Sequence, residues 1–173
     1  FDWTSQNNKF ITVYNGLDLL DFQISAKTNI IKQEYNIDQK SILLVCIARI
    51  EPIKGQGILI EAMKEVILQK KDIHLLIFGD IGDPAYFNTC SELVDRSGLK
   101  NHITFAGYKE NIPEILADSD VLVLSSTAEA FPRSIIEAMA KGKPIIASDV
   151  GGLAEAVENG ISGLIVPPAD PLA

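Results

Sequence analysis

The sequence is short of basic residues and of long apolar runs. Its 173 residues include 15 Lys and Arg against 23 Asp and Glu, which gives a net charge of -8. This balance opposes a diffuse attraction to nucleic acid or to anionic lipid. The longest apolar run, Ile42 to Ala48, is far shorter than the about 18 residues that a membrane-spanning helix requires. An anionic ligand would therefore have to be bound by a few placed cations and backbone N–H groups.

Cysteines are also few, and the sequence shows no metal-binding pattern. Cys46 lies in a strand-like run and Cys90 in a helix-like one, at a spacing that matches no metal site. Both are predicted to be small buried apolar residues, which favours a reducing, intracellular setting. Asp80 and Asp83 could bind a divalent ion, but two loop acids are more often solvated turn residues. We therefore expect no metal and no required cofactor.

The pattern of apolar residues predicts an α/β fold. Hydrophobic residues make up 47% of the chain, which is typical of a globular domain. Beyond residue 40, short β-branched or leucine-rich runs alternate with segments of helical period, as in repeated βαβ units. We predict a Rossmann-like, doubly wound parallel sheet of about six strands. The predicted strands are Ile42–Ala48, Ile73–Phe78, Ile103–Ala106, Val121–Leu124, Ile145–Ala147 and Leu164–Val166. The predicted helices are Gly57–Gln69, Ala85–Arg96, Ile112–Asp118, Arg133–Lys141 and Leu153–Glu158.

The first 40 residues differ from the rest. They are polar and contain only the short apolar run Phe10–Tyr14 before the turn-like pair Asn15-Gly16. We interpret residues 1–40 as an incoming strand and an inter-domain linker, and residues 41–173 as the Rossmann-like domain. The sequence stops directly after the last predicted strand, where an α/β unit would continue into a helix. We therefore expect a fragment that is truncated at its C-terminus.

Ligands of open parallel sheets bind beyond the carboxyl ends of the strands, so the loops that follow the strands are the candidate site. The loop after the first strand contains Arg49 and Lys54 and leads into a helix N-terminus. Two cations, a helix dipole and free N–H groups together favour a diphosphate. An equally good alternative pairs Arg49 with Glu51 or Glu61 and leaves Lys54 solvated.

Two acids follow the fourth strand. Glu129 lies in the loop and Glu137 lies about one turn inside the next helix, so both can face one crevice. A carboxylate can accept two hydroxyls at once, as a vicinal diol of ribose or hexose would offer them. The alternative is that Glu129 only complements the helix dipole and that Glu137 has a surface or capping role.

Four phrases together resemble the nucleotide-sugar-binding half of retaining GT-B glycosyltransferases of family 4, the glycosyl transferases group 1. In order they are VYNGLDLLDF, IARIEPIKG, the signature SSTAEAFPRSIIEAMAKGKPIIASDVGG with two Glu separated by seven residues, and NGISGLIVPPAD. Ala48, Ala130 and Pro132 depart from a pattern that often has Gly there. Pro132 also removes one N–H donor.

The resemblance implies a role for each candidate residue. Arg49 and Lys54 would bind the donor phosphates and, with Glu129, take part in catalysis. Glu129 would contact sugar hydroxyls and Glu137 the ribose diol. Backbone amides of Phe131, Arg133 and Ser134 would hold the sugar and the β-phosphate, and the base would lie near Gly107 and Tyr108.

The same resemblance implies the reaction and its partners. The donor would be a UDP- or GDP-linked hexose, transferred with retention of configuration to an acceptor sugar or glycolipid, as in polysaccharide biosynthesis. The acceptor would bind a domain that precedes residue 1, so we expect the fragment alone to be inactive. The expected location is cytoplasmic, and association with the inner membrane surface stays open.

The sequence argues against one other function and leaves two alternatives. A Rossmann dehydrogenase needs G-x-G-x-x-G after a strand, and the first loop offers only RIEPIKGQG. A sugar-nucleotide epimerase or a phosphorylase of the same fold stays an alternative, since it would also hold phosphates with Arg and Lys. A non-catalytic module that binds a nucleotide sugar is the third.

Overall fold

The computed structural model describes residues 11, 13–22 and 27–173. A parallel sheet of six strands is its centre, with the order β3-β2-β1-β4-β5-β6. The strands are β1 Ile42–Ile47, β2 Ile73–Phe78, β3 Ile103–Gly107, β4 Val121–Leu124, β5 Ile145–Ser148 and β6 Gly163–Val166. The helices are α1 Ile30–Glu34, α2 Gln56–Gln69, α3 Pro84–Arg96, α4 Ile112–Asp118, α5 Arg133–Ala140 and α6 Gly152–Ala156.

Helices cover both faces of the sheet, which explains why its central strands are apolar throughout. On one face, Leu43 and Val45 of β1 pack in a core with residues of α1, α4, α5 and α6. On the other face, Cys46 packs in a second core with residues of α2 and α3. The predicted α/β class, the six strands and the doubly wound arrangement are therefore confirmed.

The predicted elements differ from the observed ones by at most two residues at their ends. The exception is α1, which the sequence pattern did not reveal. In the predicted incoming strand, Phe10 and Thr12 lie outside the described residues, and Ile11, Val13 and Tyr14 belong to no strand. The division of the chain at residue 40 stays a prediction.

Helix α1 is attached to the domain by a buried acid. The Asp118 carboxylate at the end of α4 accepts hydrogen bonds from the backbone N–H groups of Thr28, Asn29 and Ile31, at 2.6, 2.9 and 3.0 Å. Burial opposes the charge of Asp118, but these hydrogen bonds outweigh burial and hold its pKa below the usual value. The N–H groups of Asn29 and Ile31 at the start of this short helix, and that of Thr28 just before it, thus find an acceptor.

The strand order places a switch point between β1 and β4, which pair with each other in parallel, while β1 pairs with β2 on its other side. The chain leaves β1 toward one face of the sheet through α2, and it leaves β4 toward the other face through α5. Their loops therefore separate at the carboxyl edge of the sheet and form a crevice.

Candidate functional site

The crevice at the carboxyl edge of the sheet consists of two adjoining cavities. The larger has a volume of about 850 Å³ and the smaller about 400 Å³. Arg49, Arg133 and Glu137 line both, so the two cavities are neighbours at this edge of the sheet. The crevice is large enough for a ligand of nucleotide-sugar size.

The loop between β1 and α2 is held close to the loop after β4. Gly55 has a φ of 65°, and a Cβ added there would lie 2.0 Å from the backbone oxygen of Ser125. The Ser125 hydroxyl donates to the Gly55 carbonyl at 2.9 Å, and the Thr127 N–H donates to the Ile53 carbonyl at 2.8 Å. Only glycine tolerates both the left-handed φ and this close approach.

This close approach brings Lys54 and Glu129 together. The Lys54 Nζ lies 2.6 Å from the Glu129 Oε2, and the two side chains are only 20% and 12% exposed. The Ser126 hydroxyl donates to the same oxygen at 3.3 Å. The alternative in which Lys54 is merely solvated is therefore wrong.

The second acid, Glu137, lies on α5 and also lines the small cavity. Pro132 precedes the helix in an extended conformation, and Ser134, Ile135 and Glu137 are on its buried face. Arg133 lies 3.5 Å from the Glu137 carboxylate, with side-chain exposures of 70% and 10%. Burial raises the pKa of Glu137, and the Arg133 charge only partly opposes this effect. Glu137 thus has an environment short of water.

Arg49 also has an acidic neighbour. Its guanidinium lies 3.7 Å from the Glu51 carboxylate, and the arginine side chain is 64% exposed. The predicted alternative of an Arg49–Glu51 pair is therefore observed, although Arg49 still lines both cavities. A long, exposed pair of this kind contributes little to stability, so Arg49 can exchange its partner at small cost.

The structure brings six of the nine predicted site residues to the small cavity: Arg49, Lys54, Glu129, Arg133, Ser134 and Glu137. Tyr108 lines only the larger cavity, and Gly107 ends β3 nearby without lining either. Phe131 lines neither cavity, because its ring packs on Tyr14 with the ring centroids 5.1 Å apart.

Sequence reasoning missed residues that support the site. Asn15 donates to the Phe131 carbonyl at 3.0 Å, and the Tyr14 hydroxyl donates to Glu155 of α6 at 2.7 Å. On the other side, the fully buried Gln56 side chain donates to the Arg49 carbonyl at 2.8 Å. The only available signal was the family phrase that contains Tyr14 and Asn15, because these contacts join segments far apart in the chain.

Within residues 11, 13–22 and 27–173, no group of three or more His, Cys, Asp or Glu side chains could hold a metal ion. Asp83 instead accepts a hydrogen bond from the Tyr86 N–H at the start of α3.

Cys46 and Cys90 are buried and free, as predicted. No helix in the described part of the chain has the length and apolar character to cross a membrane.

The chain is similar to known proteins over most of its length. It is 31% identical over 159 residues to N-acetyl-alpha-D-glucosaminyl L-malate synthase of Bacillus anthracis, covering 92% of this chain and 40% of that protein. It is 37% identical over 139 residues to D-inositol 3-phosphate glycosyltransferase of Rhodococcus erythropolis, covering 75% of this chain and 31% of that protein. The chain thus spans less than half the length of these relatives.

A solved crystal structure is also similar to this chain. The crystal structure of Anabaena Alr3699/HepE in complex with UDP-glucose superposes with a TM-score of 0.86 at 30% identity, over 92% of this chain and 44% of that one. The family model for glycosyl transferases group 1 matches residues 27–173. With the predicted fold observed and the match covering most of the sequence, the chain belongs to the glycosyl transferases group 1 family.

Proposed function

We propose that this chain is the donor-binding domain of a glycosyltransferase that moves a hexose from a nucleoside-diphosphate sugar to an acceptor hydroxyl with retention of configuration. The observation that supports this most is the small cavity at the switch point, where Lys54, Arg49 and the N-terminus of α5 lie beside Glu129 and Glu137. Positive groups beside diol-accepting acids are what a sugar-linked diphosphate requires. The UDP-glucose bound by HepE supports the same ligand class.

The diphosphate would lie between Arg49, Lys54 and the first turn of α5. The backbone N–H groups of Arg133 and Ser134 begin that helix, where the helix dipole favours an anion. When the bond to the sugar breaks, negative charge develops on the leaving diphosphate. These four groups would stabilise that charge, which lowers the barrier to transfer.

The two acids would hold the two sugars of the donor. Glu129 would accept hydrogen bonds from the transferred hexose, next to the amide of Phe131. Glu137 would accept the ribose diol, and its shortage of water makes a pair of hydroxyl donors favourable there. The base, of UDP or GDP, would extend into the larger cavity beside Gly107 and Tyr108.

The acceptor, a sugar or a glycolipid, would bind a second domain of the parent protein. We infer that the parent is a family 4 enzyme of the cytoplasm that can associate with the inner face of the membrane. This chain by itself supplies half of the site. It would therefore bind the donor weakly and transfer nothing.

Calorimetric titration with UDP, GDP and ADP tests the proposal. We expect weak, saturable binding of one of the three, with the preferred nucleotide identifying the donor base. Incubation with the matching glucose donor should release no free nucleotide above the rate without protein. If none of the three binds at millimolar concentration, the proposed diphosphate site is wrong.

A further inference from the structure

Every cation of the small cavity already has an acidic partner. The pairs have N–O distances of 2.6, 3.5 and 3.7 Å, and together their six charges cancel. They are Lys54 with Glu129, Arg133 with Glu137, and Arg49 with Glu51. A diphosphate that enters this cavity must therefore compete with carboxylates of the protein for each positive charge.

The competition is strongest at Lys54 and Glu129. Their pair is the shortest of the three, and it is the only one in which both partners are largely buried. Arg49 and Arg133 are mostly exposed, so water can replace their acidic partners when a phosphate approaches. At Lys54 the exchange has little help from solvent, because electrostatic interactions strengthen as water is excluded.

A bare diphosphate leaves Glu129 in a poor environment. Once Lys54 turns to the phosphate, the Glu129 carboxylate keeps, among the residues that the structure describes, only the weak hydrogen bond from the Ser126 hydroxyl. A largely buried carboxylate without its cation is destabilised, and the nearby phosphate repels it further. A diphosphate that carries a hydroxyl-rich group can replace the lost lysine with hydroxyl donors, since a carboxylate accepts several of them.

We infer that Glu129 is a specificity-determining residue that lowers the affinity for a bare nucleoside diphosphate and so favours the sugar-linked one. This inference rests on the proposed diphosphate site at Lys54. It assigns to Glu129 an unfavourable effect on the binding of free nucleotide. A residue that only contributes binding contacts would have the opposite effect. The consequence for an enzyme is that the spent nucleoside diphosphate leaves more easily than the donor.

The test is the isosteric substitution Glu129→Gln, titrated with UDP and with inorganic pyrophosphate. Gln keeps the shape and can still accept from Ser126, but it does not hold Lys54 as an ion pair. We expect both probes to bind about five- to twentyfold more tightly than to the unmodified chain, as loss of a charge-assisted competitor implies. The ratio of UDP-glucose affinity to UDP affinity should fall by a similar factor.

Glu51→Gln is the matched control, because it removes the same charge from the same cavity but frees the exposed Arg49. It should strengthen binding less than about twofold, since an exposed pair competes weakly. The double variant Lys54→Ala/Glu129→Gln should gain less affinity over Lys54→Ala than Glu129→Gln gains over the unmodified chain, because only the repulsion between Glu129 and the phosphate is then relieved. Thermal unfolding of each variant checks that it folds.

Three results would overturn the inference. Glu129→Gln could bind UDP no more tightly than the unmodified chain. This result would refute the competition between Glu129 and the phosphate but would leave the proposed diphosphate site standing. Glu51→Gln could give an equal gain, which would reduce the effect to general electrostatics. If neither the unmodified chain nor Glu129→Gln binds either probe, the proposed function fails together with the inference.

Discussion

Replacing Lys54 with Ala should weaken the binding of a nucleoside diphosphate more than any other single cation change in the small cavity. Of the three cations that line this cavity, Lys54 is the one that is largely buried, at 20% side-chain exposure. A hydrogen bond from a charged group contributes about 1.5–3 kcal/mol. That range corresponds to about a 10- to 150-fold increase in Kd. Arg49→Ala should lie at or below the lower limit, because its guanidinium is exposed and screened.

Lys64→Ala is the matched control for this prediction. Lys64 pairs with Glu61 at the same 2.6 Å as Lys54 with Glu129, but it lies on the outer surface of α2 and lines neither cavity. It removes one positive charge without removing a proposed ligand. Calorimetric titration of UDP at fixed ionic strength measures all variants. Equal Kd values for Lys54→Ala and the unmodified chain, or equal losses for Lys54→Ala and Lys64→Ala, would refute the reasoning.

The remaining predictions concern the support of the site. Asp118→Ala should lower the free energy of unfolding by about 2–4 kcal/mol in urea titrations, because three backbone N–H groups lose their acceptor. The pKa of Asp118 is lowered in the folded state, so its contribution to the free energy of unfolding is complete above the unfolded-state pKa. That contribution is lost as pH falls through the folded-state pKa, so Asp118→Ala and the unmodified chain should have similar stability in acid. Gly151→Ala would place a Cβ 1.7 Å from the Glu129 backbone oxygen and should lower the free energy of unfolding by at least about 2 kcal/mol. Gly142→Ala, which also has a positive φ but open space around its Cβ, should lower it by less. Asn15→Ala should weaken UDP-glucose binding about two- to fivefold, through the loop that it holds, with a loss of stability below about 1.5 kcal/mol; unchanged UDP-glucose affinity would contradict this role.

The strands were predictable because each is a short, mainly apolar run, and the central strands β1, β2 and β4 are covered on both faces. The observed β2 and β4 have the predicted ends, and the others differ by one residue. Helix α1 was not predictable, because its five residues lie in a polar segment. Its position depends on Asp118, which is 87 or more residues further along the chain.

The candidate site was predictable in its residues but not in its pairing. The rule that parallel strands present their loops at one edge places Lys54 and Glu129 in the same crevice. It cannot show that they form an ion pair, because that depends on the close approach at Gly55. Nor can it show that Phe131 turns its ring toward Tyr14 rather than toward the cavity. Side-chain partners between distant segments need the folded structure.

A crystal structure of the chain with bound UDP tests the central claim most directly. The claim predicts the diphosphate within hydrogen-bonding distance of the Lys54 Nζ and of the first-turn amides of α5, with the ribose at Glu137. It also predicts that the 2.6 Å contact between Lys54 and Glu129 has lengthened. UDP bound elsewhere, or bound in the crevice with that contact unchanged and the phosphates remote from Lys54, would contradict the account.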